Sequence, residues 1–276
     1  MTQPEGRAWL RSSIGRATPD SIELRGHDLA KEVMGEMTFS TVAFLVVAGR
    51  TPSSGELRLF DAVLCSLADH GLTPTALAAR LTYTGAPEAL QGAIAAGLLG
   101  GGSVFLGPVS DTAGYLASVL SAIPAAEHSD DTVLEIAATD AVEADLSAGR
   151  RIPGLGHPVH KEVDPRTPRL YEIAEKAGVA GPHLRLLQQV AAAQRAATGK
   201  NLPINGAGAA GAALADLGFS PPATRGFALL ARTAGLIGHL VEESASPIGL
   251  RLWKEVDARA HQVGDADEAG GSDRQA

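Results

Sequence analysis

The chain has little of what marks a secreted or a β-rich protein. Its one cysteine, Cys65, excludes an internal disulfide, so the sequence gives no sign of an oxidising compartment. Aromatic residues make up only 4% of the 276 residues, whereas hydrophobic residues, largely alanine and leucine, make up 45%. This balance favours packed helices over sheets, and we expect an all-α protein.

Positive charge is also scarce. Lysine and arginine number 23 against 31 acidic residues, which gives a net charge of -8 and a pI of about 5.5. Nucleic acids and anionic membrane surfaces need clustered positive potential, so neither is an expected partner. We find no apolar run long enough for a membrane span, and Met1 to Ala17 lacks the apolar middle of a signal peptide. A cytoplasmic protein is therefore expected.

Glycine, proline and capping residues divide most of the chain into helices. Before them, residues 12–29 alternate as in a small hairpin, and the polar stretch 265–276 reads as a disordered tail. The expected helices are Thr38–Gly49, Leu57–Ala68, Pro74–Leu81, Pro87–Leu99, Thr112–Ile123, Asp131–Ser147, Pro168–Lys176, His183–Ala197, Pro203–Leu217 and a long last helix from Pro221 or Pro222.

The stretch from Gly154 to Arg166 is the most informative part of the sequence. It combines a histidine beside glycines, His157, with Lys161 and with Arg166 behind a proline. Such a segment suits the binding of an anionic substrate that carries a carbonyl group. Each residue also has a plainer interpretation: His157 as a capping or buried structural histidine, and Lys161 and Arg166 as solvated surface charges.

Two other positions carry charge in unexpected surroundings. Arg232 lies in an apolar helix, seven residues before His239 and on nearly the same face. It needs either an internal carboxylate or a bound anion as its partner. His70 follows Asp69 at a helix end, where it either stabilises the helix terminus or is oriented toward a ligand.

Taken in order, these segments resemble motifs of the citrate synthase superfamily, and most closely its citryl-CoA lyase branch, which also forms the C-terminal module of ATP-citrate lyase. The resemblance covers about Ser12 to Trp253. The matching motifs are Glu23-Leu24-Arg25-Gly26, Ala68-Asp69-His70-Gly71, the segment Gly154 to Arg166, and Ala231-Arg232-Thr233-Ala234-Gly235.

The resemblance implies a mostly helical homodimer in which a smaller mobile domain closes over the substrates. We place the large domain at residues 1–111 and 220–264 and the small domain at 112–219. The ligands implied are an acyl-CoA and a small di- or tricarboxylate, with a coenzyme A thioester as substrate, no permanently bound cofactor and no metal.

The resemblance also implies roles for single residues. His157 would hydrogen-bond the oxaloacetate carbonyl or the citryl hydroxyl, Arg166 and Arg232 would bind carboxylates, and His70 would help to hold the dicarboxylate. Lys161 would lie near the phosphates of coenzyme A.

Three further positions are weaker matches. Citrate synthases carry Gly-Pro-Leu-His where this chain has Gly107-Pro108-Val109-Ser110; the lyase branch also lacks that histidine, and Ser110 would donate a weaker hydrogen bond. The family's proton-transfer carboxylate lies in an Asn-Val-Asp-like motif, which we match to Leu202–Gly206 with Asn205 at the carboxylate position. Arg251 is a candidate to reach the active site of the other subunit.

The function expected is therefore that of a citryl-CoA lyase-like carbon–carbon lyase, which yields acetyl-CoA and oxaloacetate. Two alternatives stay open. The chain could be a non-catalytic homologue that binds coenzyme A and dicarboxylate, or a condensing enzyme of the citrate synthase type.

Overall fold

A computed structural model describes residues 11–260, and within them helices dominate, as expected. Short π-helical (Leu29–Val33) and 3₁₀ (Ala125–Glu127) turns accompany the main elements. The strands are β1 Gly15–Ala17, β2 Ile22–Leu24 and β3 His27–Asp28, and the helices are α1 Phe39–Ala48, α2 Ser54–Leu67, α3 Pro74–Gly85, α4 Leu90–Phe105, α5 Pro108–Ser121, α6 Asp131–Ser147, α7 Arg166–Lys176, α8 Pro182–Thr198, α9 Gly206–Asp216, α10 Pro221–Ala245 and α11 Gly249–Arg259.

The expected hairpin is present as a small antiparallel sheet in the order β1-β2-β3. Strand β1 pairs with β2 in a register that sets Gly15 opposite Leu24. The turn into β3 is made by Arg25 and Gly26, both with positive φ, as a tight two-residue hairpin turn requires. The side chain of Arg25 donates from Nε to the carbonyl of Val46 at 2.9 Å, which fastens the sheet to the end of α1.

By their contacts the described residues group into two compact units, a first unit of residues 11–68 and 106–231 and a second unit of residues 69–105 and 232–260. In the first unit, α9 packs against α2, α5, α7 and α8, and its side chains from Ala209 to Leu214 are buried. The alanines and glycines of α9 permit this close approach: a Cβ at Gly208 would lie 2.6 Å from the Cα of Gly154.

Four phenylalanines form the aromatic part of the first unit's core. Phe44, Phe60, Phe219 and Phe227 contact one another, mostly edge to face, with ring centroids 4.7 to 6.0 Å apart. Edge-to-face contacts of this kind add to the free energy gained from burial alone. They join α1 and α2 to the start of α10.

The second unit is smaller. Helix α3 packs against α4 and α11, and its core contains Ala79, Ala93, Leu236 and Leu240. Gly97 is required at the contact with α10, since a Cβ there would lie 2.8 Å from a methyl group of Leu236. The apolar face of α10 in this unit is therefore fixed by close packing.

The expectation that no apolar run is long enough for a membrane span is wrong for one segment, Leu90–Ser121. By length and composition it could cross a membrane, with a mean hydropathy of 1.5 in its most apolar window. It is not one straight helix, because Gly102, inside α4, adopts the non-helical angles φ 46° and ψ -152° and kinks the helix there. In the first unit, α5 buries Thr112, Ala113 and Leu116, as a core helix does.

Most expected helices are present, with ends shifted by a few residues. Helix α6 begins and ends where it was predicted, whereas α4 continues to Phe105, beyond the predicted end at Leu99. Helix α11 was not predicted. The division into a large and a small mobile domain concerns motion and stays a prediction, and the predicted tail at 265–276 lies outside the described residues.

Candidate functional site

In the first unit, the loop that follows Ile152 is paired with the residues that lead into α9. Leu155 forms an antiparallel bridge with Ile204, and the N–H of Gly156 donates to the carbonyl of Pro203 at 2.8 Å. Gly154 and Gly156 have φ of 84° and 78°, a region that disfavours other residues. The loop therefore has a defined conformation directly before His157.

His157 is held in one tautomer by its own loop. Its Nδ1 accepts hydrogen bonds from the backbone N–H groups of Val159 and His160, at 3.1 and 3.0 Å. Because two donors point at Nδ1, the proton of the neutral imidazole must be on Nε2. The ring of His160 stacks on that of His157 with centroids 4.5 Å apart, which further fixes its plane. His157 thus presents Nε2–H as a hydrogen-bond donor.

Arg166 begins α7 and forms a bidentate ion pair with Asp164. Its Nε and Nη2 donate to the two carboxylate oxygens at 3.0 and 2.7 Å, and Nη1 donates to the carbonyl of Ser66 at 3.3 Å. Asp164 is fully buried and also accepts the N–H of Gly206 at 2.7 Å. Burial alone would raise the pKa of Asp164, but hydrogen bonds from Arg166 and Gly206 hold it well below its ordinary value.

This ion pair bears on the predicted role of Arg166. The edge formed by Nε and Nη2 is taken by Asp164, so a substrate carboxylate would meet only the remaining N–H groups. The guanidinium lies directly over Gly206, where a Cβ would clash with it. The glycine at 206 is therefore required by the position of Arg166.

Asn205 is the N-cap residue of α9 and uses both ends of its amide. Its Oδ1 accepts the N–H of Gly208 at 2.8 Å, and its Nδ2 donates to the carbonyl of Gly156 at 2.8 Å. This geometry needs an amide, since a carboxylate has no donor for Gly156. The catalytic role of Asn205 stays a prediction, and the cap suggests another match: if Asn205 corresponds to the asparagine of the Asn-Val-Asp-like motif, Ala207 stands at the carboxylate position.

The other predicted residues of the first unit have local partners. Lys161 donates from Nζ to the carbonyl of His157 at 3.2 Å. Ser110, in the first turn of α5, donates to the carbonyl of Gly107 at 2.8 Å. Two residues further along α5, Thr112 lies against Gly154, where a Cβ would be 2.9 Å from its Oγ1. The start of α5 thus lies near the loop before His157.

In the second unit, one face of α10 lies against the segment that contains His70. Arg232 is 8% exposed, and its Nη1 lies 3.5 Å from Oγ1 of Thr75 in the first turn of α3. Two turns along α10, His239 donates from Nε2 to Asp69, the neighbour of His70, at 2.9 Å. The predicted shared face of Arg232 and His239 is confirmed. A buried cation, the N-terminus of α3 and the His70 loop together favour an anion here.

Arg80 is a residue that the sequence interpretation missed. It is 3% exposed and donates to Nδ1 of His239 and to Glu243, with Nη1 3.1 Å from Oε2 of Glu243. Its Nη2 also pairs with Glu242. The signal for this network was available: Arg80 follows four apolar residues inside a helix, and a buried arginine needs a carboxylate partner.

The two units therefore each contain part of the predicted site. His157, Arg166, Asn205, Lys161 and Ser110 belong to the first unit, and His70 and Arg232 belong to the second. Their convergence on one ligand stays a prediction. Arg251 lies on α11 with an exposed side chain, and its predicted reach into a partner subunit also stays a prediction.

Comparison with known proteins was made by family model and by structure. Residues 43–253 match the model described as citrate synthase, C-terminal domain. Citryl-CoA lyase from Hydrogenobacter thermophilus is similar at 30% identity and a TM-score of 0.81, over 93% of this chain and 96% of that one. A search of curated proteins found no match.

Two less similar structures share the fold. A variant of ATP citrate lyase from Methanosaeta concilii, solved with (3S)-citryl-CoA, is 22% identical with a TM-score of 0.74, over 95% of this chain but 42% of that one. Citrate synthase from Thermoplasma acidophilum, in a ternary complex with carboxymethyl coenzyme A and oxaloacetate, is 18% identical with a TM-score of 0.62, over 87% of this chain and 58% of that one.

Proposed function

Because the chain belongs to the citrate synthase family, we propose that it is a citryl-CoA lyase-like enzyme that cleaves citryl-CoA, or a related 3-hydroxyacyl-CoA, to acetyl-CoA and oxaloacetate. The 30% identity to a citryl-CoA lyase over nearly the whole of both chains supports the lyase branch. The absence of histidine at Ser110, which the lyase branch shares, supports it too.

The observation that carries the proposal is the tautomer of His157. The reaction removes a proton from a tertiary hydroxyl, breaks the carbon–carbon bond and converts the hydroxyl carbon into a ketone. A neutral imidazole that donates from Nε2 can hydrogen-bond this oxygen throughout, while charge develops on it. Because Nδ1 already accepts two backbone N–H groups, His157 acts as a fixed donor and not as the base. Over the whole reaction, the proton that the hydroxyl loses is balanced by the proton that the acetyl carbon takes up.

The carboxylates of the substrate need cations, and each unit offers one. We propose Arg232 in the second unit as the main carboxylate ligand, because it is buried in an apolar helix beside the N-terminus of α3. His70 holds the dicarboxylate with it. Arg166 contributes through its remaining N–H groups, and Lys161 meets the phosphates of coenzyme A as a point charge.

One observation favours a second candidate, a homologue that binds coenzyme A and a dicarboxylate without turnover. Cleavage leaves the enolate of acetyl-CoA, which must take up a proton at carbon. The segment matched to the family's proton-transfer motif offers Asn205, whose amide is fully engaged, and Ala207, which has no ionisable group. The turnover assay below separates the two candidates.

We also propose that the protein is a homodimer in which α11 contributes to the contact. Leu250, Trp253 and Val256 recur on one side of α11, and each exposes more than half of its surface. Such a stripe at helical spacing is typical of a helix that packs against another surface. Arg251 lies two residues before Trp253 and therefore on nearly the opposite side of α11, so its reach into a partner subunit is a separate prediction that this stripe does not support.

The proposed function is tested by incubating the purified protein with citryl-CoA and following oxaloacetate through its reduction by malate dehydrogenase and NADH. We expect steady oxaloacetate release, which should be about 100-fold slower in His157→Phe. Titration calorimetry with coenzyme A and oxaloacetate runs in parallel. Binding of both ligands without turnover supports the second candidate, and binding of neither contradicts both.

A further inference from the structure

A continuous chain of hydrogen bonds connects the His70 loop to the start of α11 within the second unit. Asp69 accepts the N–H of Gly71 at 2.8 Å and Nε2–H of His239 at 2.9 Å. On the other side of the imidazole, Nδ1 lies 3.3 Å from Nε and 3.1 Å from Nη2 of Arg80. The side chains of Asp69, Arg80 and His239 therefore form one hydrogen-bonded network.

The direction of these bonds is determined by Arg80. A guanidinium has only N–H donors, so Nδ1 of His239 must be an acceptor, and the imidazole proton must be on Nε2. The hydrogen bond therefore runs from Arg80 to His239 to Asp69. Asp69 is an ionised acceptor in this chain: although burial would raise its pKa, hydrogen bonds from Gly71 and His239 lower it.

Arg80 is itself held in place from the far side. It pairs with Glu243, and both side chains are at most 3% exposed. Glu243 also accepts the N–H groups of Ile248 and Gly249 at 3.0 and 2.8 Å, which fixes the first turn of α11. Since Arg80 is tied to a buried carboxylate, its position, and with it that of His239, is well defined.

We propose that Arg80 and His239 are positioning residues that hold the loop Asp69–Gly71, and with it His70, in the conformation that binds a small dicarboxylate. The proposal rests on the function proposed above. It differs from a purely structural role because the relay reaches the loop through a single bond, from His239 to Asp69. Loss of that bond disconnects Asp69 from the relay while the ion pair of Arg80 and Glu243 stays buried.

Two substitutions at His239 test the relay through binding. Leucine removes the donor to Asp69, whereas glutamine can place an amide N–H near the position of Nε2. By calorimetry we expect His239→Leu to raise the dissociation constant for oxaloacetate about tenfold, the value of one lost hydrogen bond to a charged group. His239→Gln should recover most of that loss, and the dissociation constant for coenzyme A should stay within about twofold of wild type in both.

Controls separate this role from general destabilisation. Glu255→Gln removes an exposed ion pair on α11 and should bind both ligands as the wild type does. If both His239 variants lose affinity for coenzyme A and oxaloacetate alike, or if His239→Gln recovers nothing, the positioning role is overturned. Unchanged oxaloacetate affinity in His239→Leu overturns it as well.

A second measurement does not depend on the proposed function. Nitrogen-15 NMR of protein that contains isotope-labelled histidine reports the protonation of each imidazole nitrogen. At pH 7 we expect His239 to be the neutral tautomer protonated at Nε2. The substitution His239→Leu should shift the resonances of His70. A different tautomer, or unchanged His70 resonances, overturns the relay. A wild type that shows the expected spectra but binds no oxaloacetate contradicts the proposed function and leaves the relay standing.

Discussion

Arg166 and Asp164 form a bidentate ion pair across a single proline, with Nη2 of the arginine 2.7 Å from Oδ2 of the aspartate. The same carboxylate accepts the N–H of Gly206 at the start of α9. One buried carboxylate thereby joins the loop that contains His157, the start of α7 and the start of α9. This junction determines how the site of the first unit responds to mutation and to pH.

Removing the charge of Asp164 should destabilise the protein. Asp164→Asn leaves Arg166 without a bidentate partner, and breaking a buried ion pair costs about 3 kcal/mol. Urea denaturation followed by circular dichroism measures the free energy of unfolding. Glu172→Gln, which breaks exposed ion pairs on α7, is the matched control and should leave the free energy of unfolding nearly unchanged. Equal effects of the two substitutions would contradict a special role for Asp164.

The same carboxylate predicts how stability depends on pH. Its pKa in the folded protein lies well below the ordinary value of 3.8 that applies when the chain unfolds. Its contribution to stability is therefore complete above that ordinary value and is lost as the pH falls toward the folded pKa. Unfolding free energies measured from pH 7 to 3 should fall below about pH 4 in the wild type, and fall less steeply in Asp164→Asn. Parallel curves would show that Asp164 does not titrate with folding.

A methyl group at residue 206 should displace Arg166. The Cβ of Gly206→Ala would overlap the guanidinium, so we expect a loss of about 1 to 3 kcal/mol in stability and weaker oxaloacetate binding. Gly226→Ala is the control, because no atom lies within 4 Å of a Cβ there and the residue is in α10. That change should leave stability unchanged or raise it by up to about 1 kcal/mol. If the two alanine substitutions have equal effects on stability, then in solution the guanidinium of Arg166 does not lie over residue 206.

Asn205→Asp tests whether the amide is structural or stands in for a catalytic carboxylate. Aspartate can still cap α9, but it cannot donate to the carbonyl of Gly156, so stability should fall by about 1 kcal/mol without a gain in activity. Ala207→Asp places a carboxylate in the first turn of α9, where the helix dipole favours it. We expect faster acetyl-CoA release in Ala207→Asp than in Asn205→Asp. The reverse order would support the catalytic assignment of Asn205.

The sequence predicted the helices where local signals were strong. Helix α6 begins where it was predicted because Asp130 caps it by accepting hydrogen bonds from the N–H groups of Thr132 and Val133, and it ends as predicted just before Gly149, which has a φ of 66°. Helix α4 was predicted to stop before its glycines, but these glycines allow close packing, with a Cβ at Gly100 only 3.2 Å from Ala78 on α3. Gly100 and Gly101 stay helical, and the break expected at these glycines occurs at Gly102, whose backbone leaves the helical region.

For the site, residue types were predictable and their partners were not. The motifs pointed to His157, Arg166 and Arg232, and the structure gives each a defined environment in its own unit. The tautomer of His157 depends on the direction of two backbone N–H groups, which no spacing in the sequence encodes. The link between Arg80 and His239 spans 159 positions along the chain and required the fold to be known.

The most direct test of the proposed function is a single-turnover measurement with citryl-CoA and excess enzyme. We expect acetyl-CoA and oxaloacetate to form in equal amounts, and His157→Phe to slow the reaction about 100-fold while citryl-CoA still binds. Citryl-CoA that is bound and recovered intact, or a rate that does not change in His157→Phe, would contradict a lyase reaction that depends on Nε2–H of His157.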